Sequence, residues 1–331
     1  MDGYLTKPVS GAQLERELLS VLPDDLVTLH GDTAPREIPS TRLLSSKKIP
    51  LVISTDIECD LPMQQLRNLG IPVIAGKIVT NKGSFRSDIE IDTDAVLSCM
   101  EEPGGGAVAE EASVEEYEEF FARQLQDAQY IIHIAMSSRV GVAYDRACKA
   151  AKSFDNITVV DSNLVSSGMG LMVLYARQCA RESMSPQQVL QKLEESKKDF
   201  STTFIVESLD YLESRGVISH LSKALCETLL MHPVVKIHKG QMRIANMKFG
   251  EKEKARAKYI KAALRNRARI DDSVLFITYS GLSFPELESI RDQALALVPF
   301  KQVNFQKATP SVACNCGPGA FGLLFKKKSR A

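Results

Sequence analysis

The sequence predicts an α/β protein with a mainly parallel sheet in its first domain and a second α/β domain after it. Two observations carry that prediction. Apolar and helical runs alternate through the middle of the chain, as a strand over 130–135, a helix over 142–154 and a strand over 157–160. That β-α-β order makes parallel sheets. The second observation is residues 51–62, LVISTDIECDLP, where an apolar strand breaks into an acidic turn and then a helix. Leu51, Val52 and Ile53 suit a strand buried on both faces. Ser54, Thr55 and Asp56 read as turn residues whose side chains bond backbone. Asp60 stands where an N-cap belongs, ahead of Leu61, Pro62 and a helical run through Leu69. Ligands of open α/β sheets sit beyond the carboxyl ends of strands, so this turn is the expected edge of a site.

The remaining elements follow in order. Residues 101–113, EEPGGGAVAEEAS, read as a glycine-rich loop before a helix over 114–126. A helical stretch runs over 167–197, interrupted near Ser183-Met184-Ser185-Pro186, where Ser185 is placed to cap the second half. The second domain reads as a strand over 202–208, a helix over 220–230, and strands over 233–240 and 241–247 about a Lys239-Gly240 hairpin turn. A helix over 250–265, a strand over 273–279, a helix over 285–295 and a strand over 303–305 complete it. Residues 23–48 carry Pro23, Pro35 and Pro39 without a hydrophobic period, which is linker composition.

The 331 residues are enough for two domains, and 44% hydrophobic with 25% charged residues is ordinary for a folded protein. Lys plus Arg equals Asp plus Glu at 41 each, so bulk charge selects neither nucleic acid nor an anionic membrane. No apolar run reaches the roughly 18 residues of a membrane span, and no signal peptide is legible. The 7 cysteines are scattered and odd in number, which points to reduced thiols and a cytoplasmic compartment.

Four later stretches join 51–62 in one known order: MSSRVGVAYDRACKAA (136–151), VVDSNLVSSGMG (159–170), ESLDYLESRGVIS (207–219) and CNCGPGAFGLLF (314–325). Together they resemble the bacterial DegV family from about residue 49 to 327. The resemblance implies two α/β domains, 49–200 and 201–331, with a ligand tunnel between them that holds a long-chain fatty acid or related acyl lipid. It also implies a non-catalytic protein without cofactor or metal, whose partner would be the ATP-binding subunit of a fatty acid kinase. Residues 1–22 resemble the end of a response-regulator receiver domain, with Lys7-Pro8 ahead of its last helix, followed by the linker 23–48. That start reads either as the remnant of a longer fusion or as a relic helix. It also supports an alternative function, a lipid-sensing module of a signalling fusion protein.

The family's head-group residues are hydroxyls, a histidine and, in kinase subunits, an arginine. This chain departs at most of them. The loop threonine falls on Ala109, followed by Glu110, Glu111, Ala112 and Ser113. The serine block keeps Ser137 and Ser138, the histidine position is Asn315, beside Cys316, Gly317 and Gly319, and the arginine position is Val217, with Arg215 as a displaced substitute. Losing two hydrogen bonds to a charged head costs roughly 3–6 kcal/mol, or about 10² to 10⁴ in affinity. Glu110 and Glu111 would repel a carboxylate there, so the expectation is a neutral or cationic head, unless both glutamates face solvent. His133, inside YIIHIAM, reads as a core histidine. Cys314 and Cys316 lack the second ligand pair of a zinc site. No phosphate loop, dinucleotide fingerprint or catalytic triad is legible.

Overall fold

The computed structural model describes residues 48–328 apart from 208, 210–212 and 214–228, and these fall in one compact unit. The receiver-like start, the linker through 47, Arg215, Val217 and 220–228 of the expected helix lie outside the described residues. Strand β1 (Val52–Asp56) is buried along its whole length, so Ser54, Thr55 and Asp56 belong to the strand and not to the expected turn. A single 3-10 turn (Ile57–Cys59) follows, closed by Asp60 in the left-handed region at φ 53. Helix α1 (Met63–Leu69) starts from Pro62 without a side-chain cap. The expected Asp60 cap is therefore wrong: tertiary partners claim its carboxylate, which accepts from Ser166 Oγ at 2.5 Å and from Thr309 N at 2.7 Å.

Strands β2 (Val73–Ile74), β6 (Ile131–Ala135) and β7 (Ile157–Asp161) join β1 in a four-stranded sheet of order β2-β1-β6-β7, parallel throughout as expected. Three more strands, β3 (Lys77–Thr80), β4 (Gly83–Arg86) and β5 (Ala107–Glu110), form a small antiparallel sheet of order β4-β3-β5. This sheet corrects the sequence reading, because β5 lies inside the expected loop. Helix α2 (Thr93–Glu101) connects the hairpin to β5 and is capped by Asp92. Helix α3 (Val114–Gln124) begins at a capping box in which Ser113 and Glu116 bond each other's backbone N–H. Its Tyr117, Phe120 and Phe121 pack on Ala147 and Ala150 of helix α4 (Ala143–Ala151).

Helix α5 (Ser166–Arg181) joins the two larger sheets: its Met169, Met172, Val173 and Ala176 pack in one cluster with Ile53, Ile132, Phe276 and Leu324. Helix α6 (Pro186–Ser196) is capped by Ser185, as the sequence predicts. The last sheet comprises β8 (Phe200–Ile205), β9 (Met231–His238), β10 (Gln241–Phe249), β11 (Val274–Tyr279), β12 (Gln302–Lys307) and β13 (Phe321–Lys326). Its order is β10-β9-β8-β13-β11-β12, with only β11 and β12 parallel. Helices α7 (Lys252–Ala263) and α8 (Phe284–Leu295) cover it through Tyr259, Ile260, Leu287 and Ile290. A short helix α9 (Pro310–Cys316) precedes β13, and the sequence reading named neither.

The β9–β10 hairpin turns at Lys239 (φ 50) and Gly240 (φ 80), the paired left-handed residues that match strand twist. A Cβ on Gly240 would stand 2.7 Å from Ser137 Oγ and 2.8 Å from Asn163 Oδ1. The hairpin tip thus presses on the loops that follow β6 and β7, and only glycine permits that approach.

Candidate functional site

Glu58 and Met136, just beyond the carboxyl ends of β1 and β6, line a cavity of about 760 Å³. This is where an open α/β sheet places its ligand. The other walls are Ala109 and Glu111 at the end of β5, Arg139 and Val140 after β6, Val165 before α5, residues Gln241, Met242, Arg243 and Ile244 of β10, and Ser311, Val312 and Asn315 of α9. A second pocket of about 70 Å³ shares Val165, Met242, Val312 and Asn315 with it. Phe204, Val206, Val235, Tyr279, Ala320 and Phe321 make that pocket mostly apolar. Two of its hydroxyls are already engaged, Ser166 on Asp60 and Thr278 on Ser167. The large cavity, with charged and apolar residues in its wall, adjoins a mostly apolar recess, an arrangement suited to a ligand with a polar head and a hydrocarbon tail.

Three carboxyls within DIECD are buried, and each is treated differently. Asp56 is saturated: Oδ1 accepts from Tyr117 Oη at 2.6 Å and His133 Nε2 at 3.0 Å, and Oδ2 from Met136 N at 2.9 Å. These partners are far away in sequence, so Asp56 does not bond local turn backbone. Asp60 ties the 3-10 turn to the starts of α5 and α9. Burial pushes it up to about 7 against the lowering effect of its bonds from Ser166 and Thr309. Glu58 is the acid that faces the cavity. Burial pushes it up to about 8, helped by the negative charge of Asp56 and Glu111 and opposed by its own backbone N–H and the nearby Ser311 hydroxyl. Near neutral pH its carboxyl is mostly protonated and can donate one hydrogen bond.

Ser54, His133 and Asp56 line up as a hydroxyl, an imidazole and a carboxylate, with Ser54 Oγ 3.0 Å from His133 Nδ1. All three are at most 2% exposed and sit inside adjacent strands. The ring is also reversed relative to a hydrolase, whose serine faces Nε2 and whose aspartate faces Nδ1. The set is a satisfied core network, and His133 is the core histidine that the sequence predicts.

The other expected residues are scattered. Ala109 lines the cavity. Glu110 is exposed on β5, whereas Glu111 lines the cavity and accepts from Val142 N at 2.8 Å. Ser113 is engaged in the α3 cap. Ser137 is fully buried and donates to Gly240 O at 2.8 Å, and Ser138 donates to Asp161 Oδ2 at 2.6 Å. Neither serine is among the residues lining either space. Asn315 lines both, with Nδ2 donating to Ser311 O at 2.7 Å. Cys316 lines the apolar pocket, its thiol pushed up to about 12 by burial and by Asp60. Gly317 ends α9 at φ 67, and Gly319 turns at φ 79. The sequence reading missed Glu58, Arg139, Met242, Arg243, Ser311 and Val312. The DIECD run, three acids interleaved with Ile and Cys, was a usable signal for Glu58. Nothing local marks Arg243, which reaches the cavity only because the hairpin folds over it.

Among the described residues, no cluster of His, Cys, Asp and Glu is placed to hold a metal ion, and neither Cys314 nor Cys316 forms a disulfide. No described helix is long and apolar enough to cross a membrane.

Comparison with known proteins adds three findings. The family described as "uncharacterised protein, DegV family" matches residues 50–328. A DegV domain-containing protein of Caldanaerobacter subterraneus subsp. tengcongensis is 24% identical over 282 residues, which is 84% of this chain and 99% of that protein. Among solved structures, a DegV family protein from Thermus thermophilus, described by its fatty acid binding, superposes with a TM-score of 0.74 at 26% identity, covering 84% of this chain and 100% of that one. DegV from Bacillus subtilis, described as a fatty acid binding protein, gives a TM-score of 0.74 at 19% identity and covers 85% of this chain and 100% of that one. At that identity the second structure speaks for the fold alone.

Proposed function

This chain belongs to the DegV family, and on that premise we propose that it is a non-catalytic carrier of one long-chain acyl lipid. The head would lie in the large cavity and the tail in the apolar recess. The observation that supports this reading is the junction of the two spaces at Val165, Met242, Val312 and Asn315. Burying an acyl chain is worth roughly 0.8 kcal/mol per methylene, so about fourteen methylenes give on the order of 11 kcal/mol gross. The recess is far smaller than the cavity, so a long tail must part its side chains. Met242, unbranched and flexible, is the wall residue suited to move. On this reading the two sequence halves meeting at 200/201 each contribute a wall: Glu58, Met136 and Glu111 from the first, β10 and α9 from the second.

The head-group set differs from the one the family pattern implies. Donors at the cavity are the second N–H of the Asn315 amide, the Glu58 carboxyl and the exposed Arg139 and Arg243, whereas the Ser311 hydroxyl already donates to Ser87 Oγ at 2.9 Å. With its rim open, the head would be accessible to a separate ATP-binding kinase subunit, and phosphoryl transfer to the bound lipid in the presence of that subunit checks this partnership. Native mass spectrometry of the purified protein, followed by lipid extraction, tests the carrier reading itself. One bound single-chain lipid per protein is expected. A protein that is empty and takes up no added long-chain lipid would refute it.

A further inference from the structure

We propose that Glu58 holds the lipid head by donating its carboxyl proton to an anionic head group, so that lipid binding is linked to proton binding. This rests on the acyl-lipid reading above and names the residue that sets its head preference. Glu58 lies in the turn after β1, is 7% exposed and lines the large cavity. The groups beside it are largely committed elsewhere. The Ser311 hydroxyl donates to Ser87, one Asn315 N–H donates to Ser311 O, and Glu111 accepts from Val142 N. Of the lining side chains that keep an N–H or O–H to donate, Glu58 is the buried one. Gln241 and Asn315 are half-buried, and Arg139 and Arg243 are exposed.

An acid in that position is less costly to bury neutral than charged. Burial, then the negative charge of Asp56 and Glu111, pushes its carboxyl up to about 8, while its own backbone N–H and the nearby Ser311 hydroxyl oppose them. None of these groups is a cation. Cys59 in the same turn and Tyr117 on α3 feel the charge of Glu58, and burial lifts both far above that range. Asp60 titrates near it, at about 7, on its own partners Ser166 and Thr309. An O–H···O⁻ bond from a neutral acid to a carboxylate is charge-assisted and about twice as strong as a bond between neutral groups. Neutral Glu58 therefore favours an anionic head over an alcohol, and the guanidinium groups of Arg139 and Arg243 at the same cavity add to that preference. Once Glu58 ionises, its charge repels the same head. Affinity for an anionic lipid is thus whole below about 8 and falls about tenfold per pH unit above it, because the ionised protein must first take up a proton.

The test is displacement of an uncharged fluorescent long-chain probe by hexadecanoic acid and by hexadecanol, from about pH 6.5 to about 9.5. The free fatty acid stays ionised throughout, since an ordinary carboxyl titrates near about 4.3. Wild type is expected to lose about tenfold or more in affinity for hexadecanoic acid across that span, while hexadecanol changes by less than about threefold. Glu58→Gln is expected to give a flat profile for the acid, weaker than wild type at the low end and tighter at the high end, and to discriminate less between acid and alcohol. Asp60 is present in both proteins, so the difference between them reads Glu58 alone. The contrast of acid with alcohol in wild type needs no variant. An affinity for hexadecanoic acid that is flat with pH in wild type, or that falls equally in Glu58→Gln, overturns the proposal and leaves the carrier reading standing. If neither lipid displaces the probe or binds by native mass spectrometry at any pH, both fall.

Discussion

Replacing Glu58 by Gln is expected to stabilise the fold as pH rises. The Glu58 carboxyl is pushed from its ordinary 4.5 to about 8, chiefly by burial. A raised acid binds its proton more tightly in the folded chain. Its stabilising contribution is therefore whole below about 4.5 and is lost as pH climbs through about 8. The interval of about 3.5 units, at about 1.36 kcal/mol per unit, amounts to roughly 5 kcal/mol gross. Glu58 also borders a cavity that admits water, which hydrates the carboxylate and reduces the penalty. About 2–3 kcal/mol is the expected net effect. Asp60 titrates in the same window, up to about 7, but it does so in both proteins, so it cancels in the difference between them. The assay is urea unfolding of wild type and Glu58→Gln at pH values from 5 to 9. The variant should gain about 2–3 kcal/mol over wild type across that range, most of it between pH 5 and 8. A stability difference that stays constant with pH would refute the assignment of Glu58 as the buried, proton-holding acid.

Tyr117→Phe removes one of three hydrogen bonds on buried Asp56, and urea unfolding should show a loss of about 1.5–3 kcal/mol. Gly319→Ala forces a side chain onto φ 79, with its Cβ 2.2 Å from Glu207 Oε2. Glu207 is held by Lys252 and Arg256 and cannot swing clear, so thermal unfolding should report a loss of about 1–3 kcal/mol. Val312→Phe narrows the junction between cavity and recess. Displacement titration with a sixteen-carbon lipid should show at least about tenfold weaker binding, while the unfolding free energy changes by less than about 1.5 kcal/mol.

The parallel sheet and the Lys239-Gly240 hairpin were legible because their signals are local: apolar runs of strand length, helices with caps, and a turn whose residues accept positive φ. The small sheet was not. Strands β3, β4 and β5 have only four residues each, and Ile78 is the one fully buried position among them, so no period stands out from a loop. Asp60 misled because capping is a local rule, and a residue 249 positions away, Thr309, outbids the adjacent helix for its carboxylate. The site was half legible for the same reason. Ala109, Glu111 and Asn315 reach the cavity from the blocks that pointed there. Ser137 and Ser138 lie in the right block, but their hydroxyls hold Gly240 and Asp161. Arg243 depends on where a hairpin lands, which no window of sequence contains.

Asp56 and Glu58 are two residues apart and equally acidic, yet the fold uses them in opposite ways. Asp56 has donors on both oxygens from helix α3, strand β6 and the loop directly after β6, so its removal strands a tyrosine, a histidine and a backbone N–H in the core. Glu58 has little holding it charged and much opposing it. A core acid under selection for stability alone would be replaced by an uncharged residue, because the buried charge costs more than it returns. Keeping an acid there makes sense if something outside the chain completes it. The cavity beside Glu58 is where that partner would sit. Glu58→Gln should therefore give a protein that is harder to unfold and less selective for its ligand head, whereas Tyr117→Phe should weaken the fold and leave head-group selection unchanged. Measuring unfolding and lipid displacement on both variants separates the two roles, and a Glu58→Gln protein with unchanged selectivity would show that the acid serves the fold and not the ligand.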